Sequence, residues 1–425
     1  MAKKKKKTIW QKLRSKFLSL VQKTIFSLVR IDKRKVLFDH FDGLDVGCNP
    51  GYIAKKLSET HPDLKITWLL SKRNDGHSAS WLSYTGTDFL AKCIALASAR
   101  VVVFNTLNSM SDWPKKKGQI WIQTGHGSFG IKKIGLDVNF KRKNLIRAEA
   151  KKTTFFLSNS AFETRVFKSG FAFKSRQVIE IGHARNDVFF DAALSASIKE
   201  RVSKRYGIEG KKLILFAPTH SGNDVDYIAK IDVESILRAL RARFGGEWVF
   251  GLRFHPRTRN KFLKHELSLD NLKGPDIVDL SAHSDMQELL VSSDAMITDY
   301  SSGIFDFLLT KRPCLFHLDQ TMKKELEGAL YFDFTDTPIP VSFDSATLID
   351  NIETFDVGAF EKGVDGFLEG AGSLESGKAA EKAANLIKMA AQGTKVVELR
   401  AIYDERKTRG AAADLSAIPV QSAAE

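Results

Sequence analysis

The sequence predicts an α/β protein of two parallel-sheet domains facing a cleft, preceded by an amphipathic helix. Three observations predict it. Apolar runs of strand length alternate with helical stretches through most of the chain. The alternation comes in two series, joined by the polar helical stretch "AALSASIKERVSKRYGI". The first 35 residues differ from everything after them in charge.

The bulk composition sets the frame. A chain of 425 residues corresponds to two or three domains at roughly 100–200 residues each. Apolar content of 43% and charged content of 27% are ordinary globular values, so the chain can bury a core. Cys48, Cys93 and Cys314 lie far apart, with no metal spacing and no disulfide framework. That usage fits a reducing compartment. The net charge is +15, but residues 1–35 hold thirteen Lys/Arg against the single acid Asp32, leaving +3 for the other 390 residues. The body is therefore near neutral.

Within residues 1–35, Trp10, Leu13, Phe17, Leu20, Val21, Thr24 and Leu28 recur at spacings of three and four, one face of a helix. Lys12, Lys16 and Lys23 fall off that stripe. A spanning helix needs about 20 consecutive apolar residues, and a secretory signal an unbroken apolar core; neither is present. The expectation is a helix in the membrane interface, its aromatic face toward the acyl chains and its lysines toward anionic headgroups. A solvated tail or a nucleic-acid arm are the alternatives, since poly-lysine binds any polyanion. An arm does not need the apolar stripe, and no nucleic-acid-binding motif occurs elsewhere, so no nucleic-acid partner is expected.

The body begins at residue 36. "KITWLL" (65–70), "ARVVVFN" (99–105), "QIWIQT" (119–124), "TTFFLSNS" (153–160) and "RQVIEIG" (176–182) read as buried strands of a first Rossmann-like domain, 36–190. "KLILFAPT" (212–219), "EWVFGLRFHP" (247–256), "DIVDLS" (276–281), "DAMITD" (294–299) and "RPCLFHLD" (312–319) form a second, 191–370. Residues 371–425 read as an Ala-rich helix and a disordered tail. In open α/β sheets, ligands bind beyond the carboxyl ends of the strands. Functional side chains are therefore sought just after each strand.

Four strand ends stand out. After "IWIQT", His126 lies between Gly125 and Gly127, which lets the backbone turn sharply and leaves the imidazole accessible as a general base; a plain turn with a surface histidine is the alternative. After "LILF" comes a polar loop containing Thr219. After "WVFGLRF", His255-Pro256-Arg257 would suit an anion or simply cap a loop. After "DAMIT", Asp299-Tyr300-Ser301-Ser302 forms a turn into the helix "GIFDFLLTK". Serines there can bind phosphate on the helix N-terminus or act as N-caps. One serine satisfies a cap, and the second points to a ligand.

The stretches "QIWIQTGHGSFGIKKIG", "GHARND", "ILFAPTH", "LRFHP" and "ITDYSSGIFDFLLTKRPCLFHLD" resemble, in order and spacing, the CDP-glycerol glycerophosphotransferase family of teichoic-acid and capsule polymer synthesis. The resemblance spans about residues 38–345. It implies a GT-B-like fold and an enzyme peripheral to the cytoplasmic face of the cell membrane. It implies a CDP-glycerol or CDP-ribitol donor, a hydroxyl acceptor on a lipid-linked glycan or growing polymer, and release of CMP. By position, His126 corresponds to a proposed general base and His255 to a histidine supporting the donor diphosphate. Ser301 and Ser302 correspond to serines holding donor phosphates, Asp299 to the residue orienting that turn, and Arg185 to a motif residue without a role. Arg185, Thr219 and Arg257 would lie in the same cleft. No carboxylate cluster suggests a dedicated metal site; a loosely held divalent ion on the diphosphate is compatible with the chemistry.

The chain departs from the family pattern at Gly125, where Trp is usual, at Ser128-Phe129 for Thr-Pro, at His220-Ser221 for an aromatic and Arg, and at His183-Ala184 for Tyr-Pro. These changes bear on donor or acceptor identity more than on reaction type. The competing reading is a GT-B glycosyltransferase that uses a nucleotide sugar for a capsule or surface polysaccharide.

Overall fold

The computed structural model describes residues 9–71, 81–107, 109–128, 130–139, 141–219, 227–228, 230–254, 258, 272 and 274–403. The apolar runs become strands where β-branched and aromatic residues can be buried on both faces. They are β1 (Asp32–Asp39), β2 (Lys65–Leu70), β3 (Ser83–Gly86), β4 (Ala99–Phe104), β5 (Ile120–Gln123), β6 (Phe155–Ser158) and β7 (Val178–Glu180), followed by β8 (Lys212–Phe216), β9 (Trp248–Leu252), β10 (Ile277–Asp279), β11 (Ala295–Thr298), β12 (Cys314–His317) and β13 (Val341–Ser342). The first sheet has seven strands in the order β3-β2-β1-β4-β5-β6-β7, and the second six in the order β10-β9-β8-β11-β12-β13. Pairing is parallel, for example Phe38 with Val103 between β1 and β4, and Phe216 with Ile297 between β8 and β11. In each sheet the winding direction reverses beside its first strand, between β1 and β4 and between β8 and β11.

The described chain forms two compact units, though not along the linear division expected. Residues 9–125, 144–157 and 380–403 make the first, and 126–143 with 158–379 the second. The expected boundary near 190 shifts because the loop after β5 leaves the first unit at His126. The helix Ala379–Gln392 returns to the first unit from residue 380 onward. There Arg100 Nε donates to the Ala390 carbonyl at 3.1 Å, and Lys388 pairs with Asp63 at 2.6 Å. Residues 404–425, expected as a tail, lie outside the described residues.

The core of the first unit gathers Leu37, Leu69, Leu96, Val102, Phe104, Met110 and Trp121. The amphipathic segment is a helix, Ile9–Leu28, that docks on this core through buried Phe26 with Ile25 and Val29 packed beside it. These three lie off the stripe read from the sequence. Of that stripe, Trp10, Leu13, Phe17, Leu20 and Leu28 are exposed large hydrophobics. The helix ends before β1, so Lys33, Arg34 and Lys35 belong to a strand and not to the leader. No helix among the described residues is long and apolar enough to cross a membrane.

In the second unit, β8, β9, β11 and β12 are buried along nearly their whole length. Gly251 in β9 is required by packing. A Cβ there would lie 2.7 Å from Leu280 Cδ1 and 2.8 Å from Leu213 Cδ1. Phe305 stacks on Phe367 at 5.9 Å and meets Phe332 edge-on at 5.9 Å, which fixes the short helix Gly303–Phe307 onto the core.

Candidate functional site at the second switch point

In open α/β sheets the usual ligand position is the switch point where the winding reverses, here between β8 and β11. The residues that follow these two strands are tied together. Thr298 Oγ1 donates to the Ala217 carbonyl at 2.5 Å, and Ala217 N to the Ile297 carbonyl at 3.1 Å. Asp299 is fully buried. Its Oδ2 accepts from Thr219 N at 2.7 Å, and its Oδ1 from Thr219 Oγ1 at 2.6 Å and Ser301 N at 3.1 Å. Burial pushes this carboxyl up to about 6, against the pull of those hydrogen bonds. Asp299 and Thr219 are thus the frame of the turn. They hold the loop after β8 to the loop after β11.

Ser301 and Ser302 sit on that frame, both half-buried. Ser302 is the N-cap residue of Gly303–Phe307, yet its backbone is helical and its side chain makes no capping hydrogen bond. Ser301 Oγ meets Gly303 N only at 3.5 Å. Helix capping therefore does not account for the pair of hydroxyls. Opposite them runs the loop after β5. A Cβ added to Gly127 would sit 3.0 Å from Ser302 Oγ, so the backbone beside His126 lies directly against the serine turn. His126 itself is exposed. Its position falls in the expected first domain, 36–190, but residues 126–143 belong to the second unit together with Ser301 and Ser302.

Behind this arrangement lies a buried polar cluster that sequence reasoning did not assemble. Arg185, expected in the cleft, is 2% exposed. Its Nε donates to Asp306 Oδ2 at 2.9 Å, and its Nη2 to Ser128 Oγ at 2.9 Å and Asp306 Oδ1 at 3.2 Å. Ser128 Oγ donates to Asp306 Oδ1 at 2.5 Å. Asn186 Nδ2 and Gln287 Nε2 reach the same carboxylate at 2.9 and 3.0 Å. Burial alone would raise Asp306, but the Arg185 guanidinium and these donors outweigh it and hold the carboxyl below its ordinary range. His183 stands between Ser128 Oγ, 3.0 Å from Nδ1, and Glu163 Oε2, 3.1 Å from Nε2. Glu375 accepts from Asn159 and Asn186 at 3.0 and 2.9 Å, and burial raises it despite them.

The cluster ties Ser128, two residues beyond His126, to Asp306, four residues beyond Ser302. It therefore sets the spacing of the histidine loop and the serine turn. One signal for it was available: "GHARND" places four polar side chains in six residues after a buried strand. The acid of "IFDF" between two core phenylalanines was the other.

His255 and Arg257 lie outside the described residues, as does His220. Among the described residues no group of three or more His, Cys, Asp or Glu could hold a metal ion.

The family model described as CDP-Glycerol:Poly(glycerophosphate) glycerophosphotransferase matches residues 21–389. The teichoic acid poly(glycerol phosphate) polymerase of Bacillus subtilis is 30% identical over 400 residues, 88% of this chain and 52% of the polymerase. The chain thus spans about half the length of that relative. The teichoic acid glycerol-phosphate transferase of Staphylococcus aureus is 27% identical and is covered over 96% of its length, against 85% of this chain. The solved structure of the wall teichoic acid polymerase TagF has a TM-score of 0.75 at 23% identity, covering 90% of this chain and 97% of that one, a likeness of fold. The parallel-sheet architecture, the match across most of the sequence and the resemblance of the motifs around the serine turn agree, and this chain belongs to the CDP-glycerol:poly(glycerophosphate) glycerophosphotransferase family.

Proposed function

We propose that the protein transfers glycerol phosphate, or a related polyol phosphate, from a CDP-linked donor to a hydroxyl of a lipid-linked glycan or growing wall polymer. The observation that carries this reading is the pair of serine hydroxyls that helix capping leaves over, set against the His126–Gly127 backbone at the β8/β11 switch point. Family membership supplies the donor class.

The acceptor oxygen attacks the glycerol-side phosphorus, forming a new P–O bond. The P–O bond to the bridging oxygen breaks, and CMP leaves with that electron pair. His126 takes the acceptor's proton. Ser301 and Ser302 donate to the donor's phosphate oxygens, where negative charge grows. Asp299 does not touch the donor; it holds the turn that does. His255, through its place in the sequence, is assigned to the leaving phosphate.

The exposed stripe of the Ile9–Leu28 helix suits an anionic membrane surface at the cytoplasmic face. It would bring the site to a lipid-linked acceptor. The experiment that tests the reaction measures CMP release from CDP-glycerol, and in parallel CDP-ribitol, with a lipid-linked acceptor extract. Release that His126→Ala abolishes in a folded protein supports the reading, and the faster donor names the polyol. Near-normal turnover by His126→Ala refutes the assigned base. No release from either donor refutes the polyol transfer.

A further inference from the structure

Two adjacent lysines follow the histidine loop, and the structure treats them differently. The backbone of Ile131–Lys133 is pinned to a second strand-like segment. Tyr331 N donates to the Ile131 carbonyl at 2.8 Å, Lys133 N to the Ala329 carbonyl at 2.8 Å, and Lys132 pairs with Leu330 in an antiparallel bridge. Neighbouring side chains in such a segment point to opposite sides. Lys133 points outward and caps the Gly328 carbonyl at 3.2 Å in an exposed position. Lys132 points the other way. Its ammonium lies 3.9 Å from the ring centroid of Tyr300, the residue immediately before Ser301.

A surface lysine needs no explanation, but this one is half-buried beside the phosphate turn. The ring covers one side of the ammonium and offers it only a quadrupole. The nearby acids do not neutralise it closely. Asp299 is committed to Thr219 and Ser301, and Glu325 acts on Lys132 only at longer range. Burial accordingly lowers the lysine's pKa below its ordinary value, with Asp299 and Glu325 offsetting part of the effect. A half-buried cation seated on an aromatic ring beside the serine turn suits an anion that brings its own oxygens. The serines supply hydroxyl donors and no charge, whereas Lys132 is a cation set beside their turn.

We propose that Lys132 is a ligand of the donor's diphosphate, its ammonium seated on the Tyr300 ring and its N–H groups directed to the phosphate oxygens held by Ser301 and Ser302. The assignment rests on the donor reading above. Its charge would then neutralise the CMP phosphate as the P–O bond to it breaks.

The test compares Lys132→Met and Lys132→Arg with the unaltered protein by calorimetric titration with CDP, inorganic pyrophosphate and cytidine. Met keeps the apolar stem and removes the charge, whereas Arg keeps the charge and the stacking on Tyr300. The expected result is CDP and pyrophosphate binding at least about tenfold weaker in Lys132→Met, with Lys132→Arg between the two and cytidine binding unchanged. Equal affinities for the two phosphate ligands in Lys132→Met and the unaltered protein would overturn the proposal. So would a parallel loss for all three ligands, which marks a general disturbance. Lysine-dependent binding of pyrophosphate without any preference for CDP would retain Lys132 as the ligand and overturn the cytidine-donor reading instead. An unaltered protein that binds none of them would overturn both.

Discussion

Replacing Asp306 by Ala removes the centre of the buried cluster, and the structure sets the size of the loss. Five hydrogen bonds converge on this carboxylate, from Ser128 Oγ, Arg185 Nε and Nη2, Asn186 Nδ2 and Gln287 Nε2. The amides keep second partners, since Asn186 Nδ2 also reaches Glu375 and Gln287 Nε2 lies 3.4 Å from Asn186 Oδ1. Arg185 keeps its hydrogen bond to Ser128 Oγ at 2.9 Å but loses this carboxylate, 2.9 Å from its Nε. Breaking a buried ion pair by deleting one partner costs about 3–5 kcal/mol, because a buried charge is left uncompensated. Domains are stable by only about 5–15 kcal/mol, so Asp306→Ala is expected at the edge of folding. The assay is urea unfolding at neutral pH, followed by fluorescence. A second variant, Arg185→Met with Asp306→Leu, removes both charges and is expected to recover most of the loss, as apolar replacement of buried pairs often does. A loss under about 1 kcal/mol for Asp306→Ala, or no recovery in the double variant, would refute the view that this ion pair holds the cluster together.

Three further outcomes follow from the geometry. Asp299 is raised from 3.8 to about 6, so its ionisation opposes folding. Its contribution is intact below the unfolded value and is lost as pH rises through about 6, amounting to about 3 kcal/mol at about 1.4 kcal/mol per pH unit. Asp299→Asn should flatten urea-determined stability across that window. Asp39, raised to about 6 by its own burial, leaves a residual slope of the same sign. An unchanged slope in the variant would show that Asp299 titrates normally. Gly127→Ala places a methyl 3.0 Å from Ser302 Oγ; turnover should fall about tenfold or more with melting temperature nearly constant, and unimpaired turnover would separate the loop from the site. Trp10→Ser with Phe17→Ser should abolish co-flotation with anionic vesicles and leave CMP release from a soluble acceptor intact; continued flotation would refute the interfacial role of the helix.

The strands were legible where burial on both faces writes itself as β-branched and aromatic runs, as in "ARVVVF" and "AMIT". β1 was not, because it opens with "DKRK", exposed at one end of a strand whose other end is fully buried. β3, "SYTG", carries no apolar run at all. At the site, the turn of Asp299, Ser301 and Ser302 was visible because it is contiguous. The cluster was not, because its partners lie far apart: Arg185 and Asp306 are 121 residues apart, Ser128 and Asp306 178. Local spacing cannot show such pairs. The motif alone places Arg185 in the cleft, since nothing in a single sequence reveals that its carboxylate partner is buried beside it.

The return of residues 380–403 to the first unit has a consequence for synthesis on the ribosome. His61 meets Asn385 at 3.1 Å, Asp63 meets Lys388, and Arg100 meets Ala390, so part of the first unit is closed by residues translated 290 to 325 positions later. Domains ordinarily fold as they are made, amino-terminal first. Here the first unit waits, its surface for this helix uncovered, while the whole second unit is translated and can fold. The order of completion is the reverse of the order of translation. A fragment ending at residue 190 would lack this closing segment.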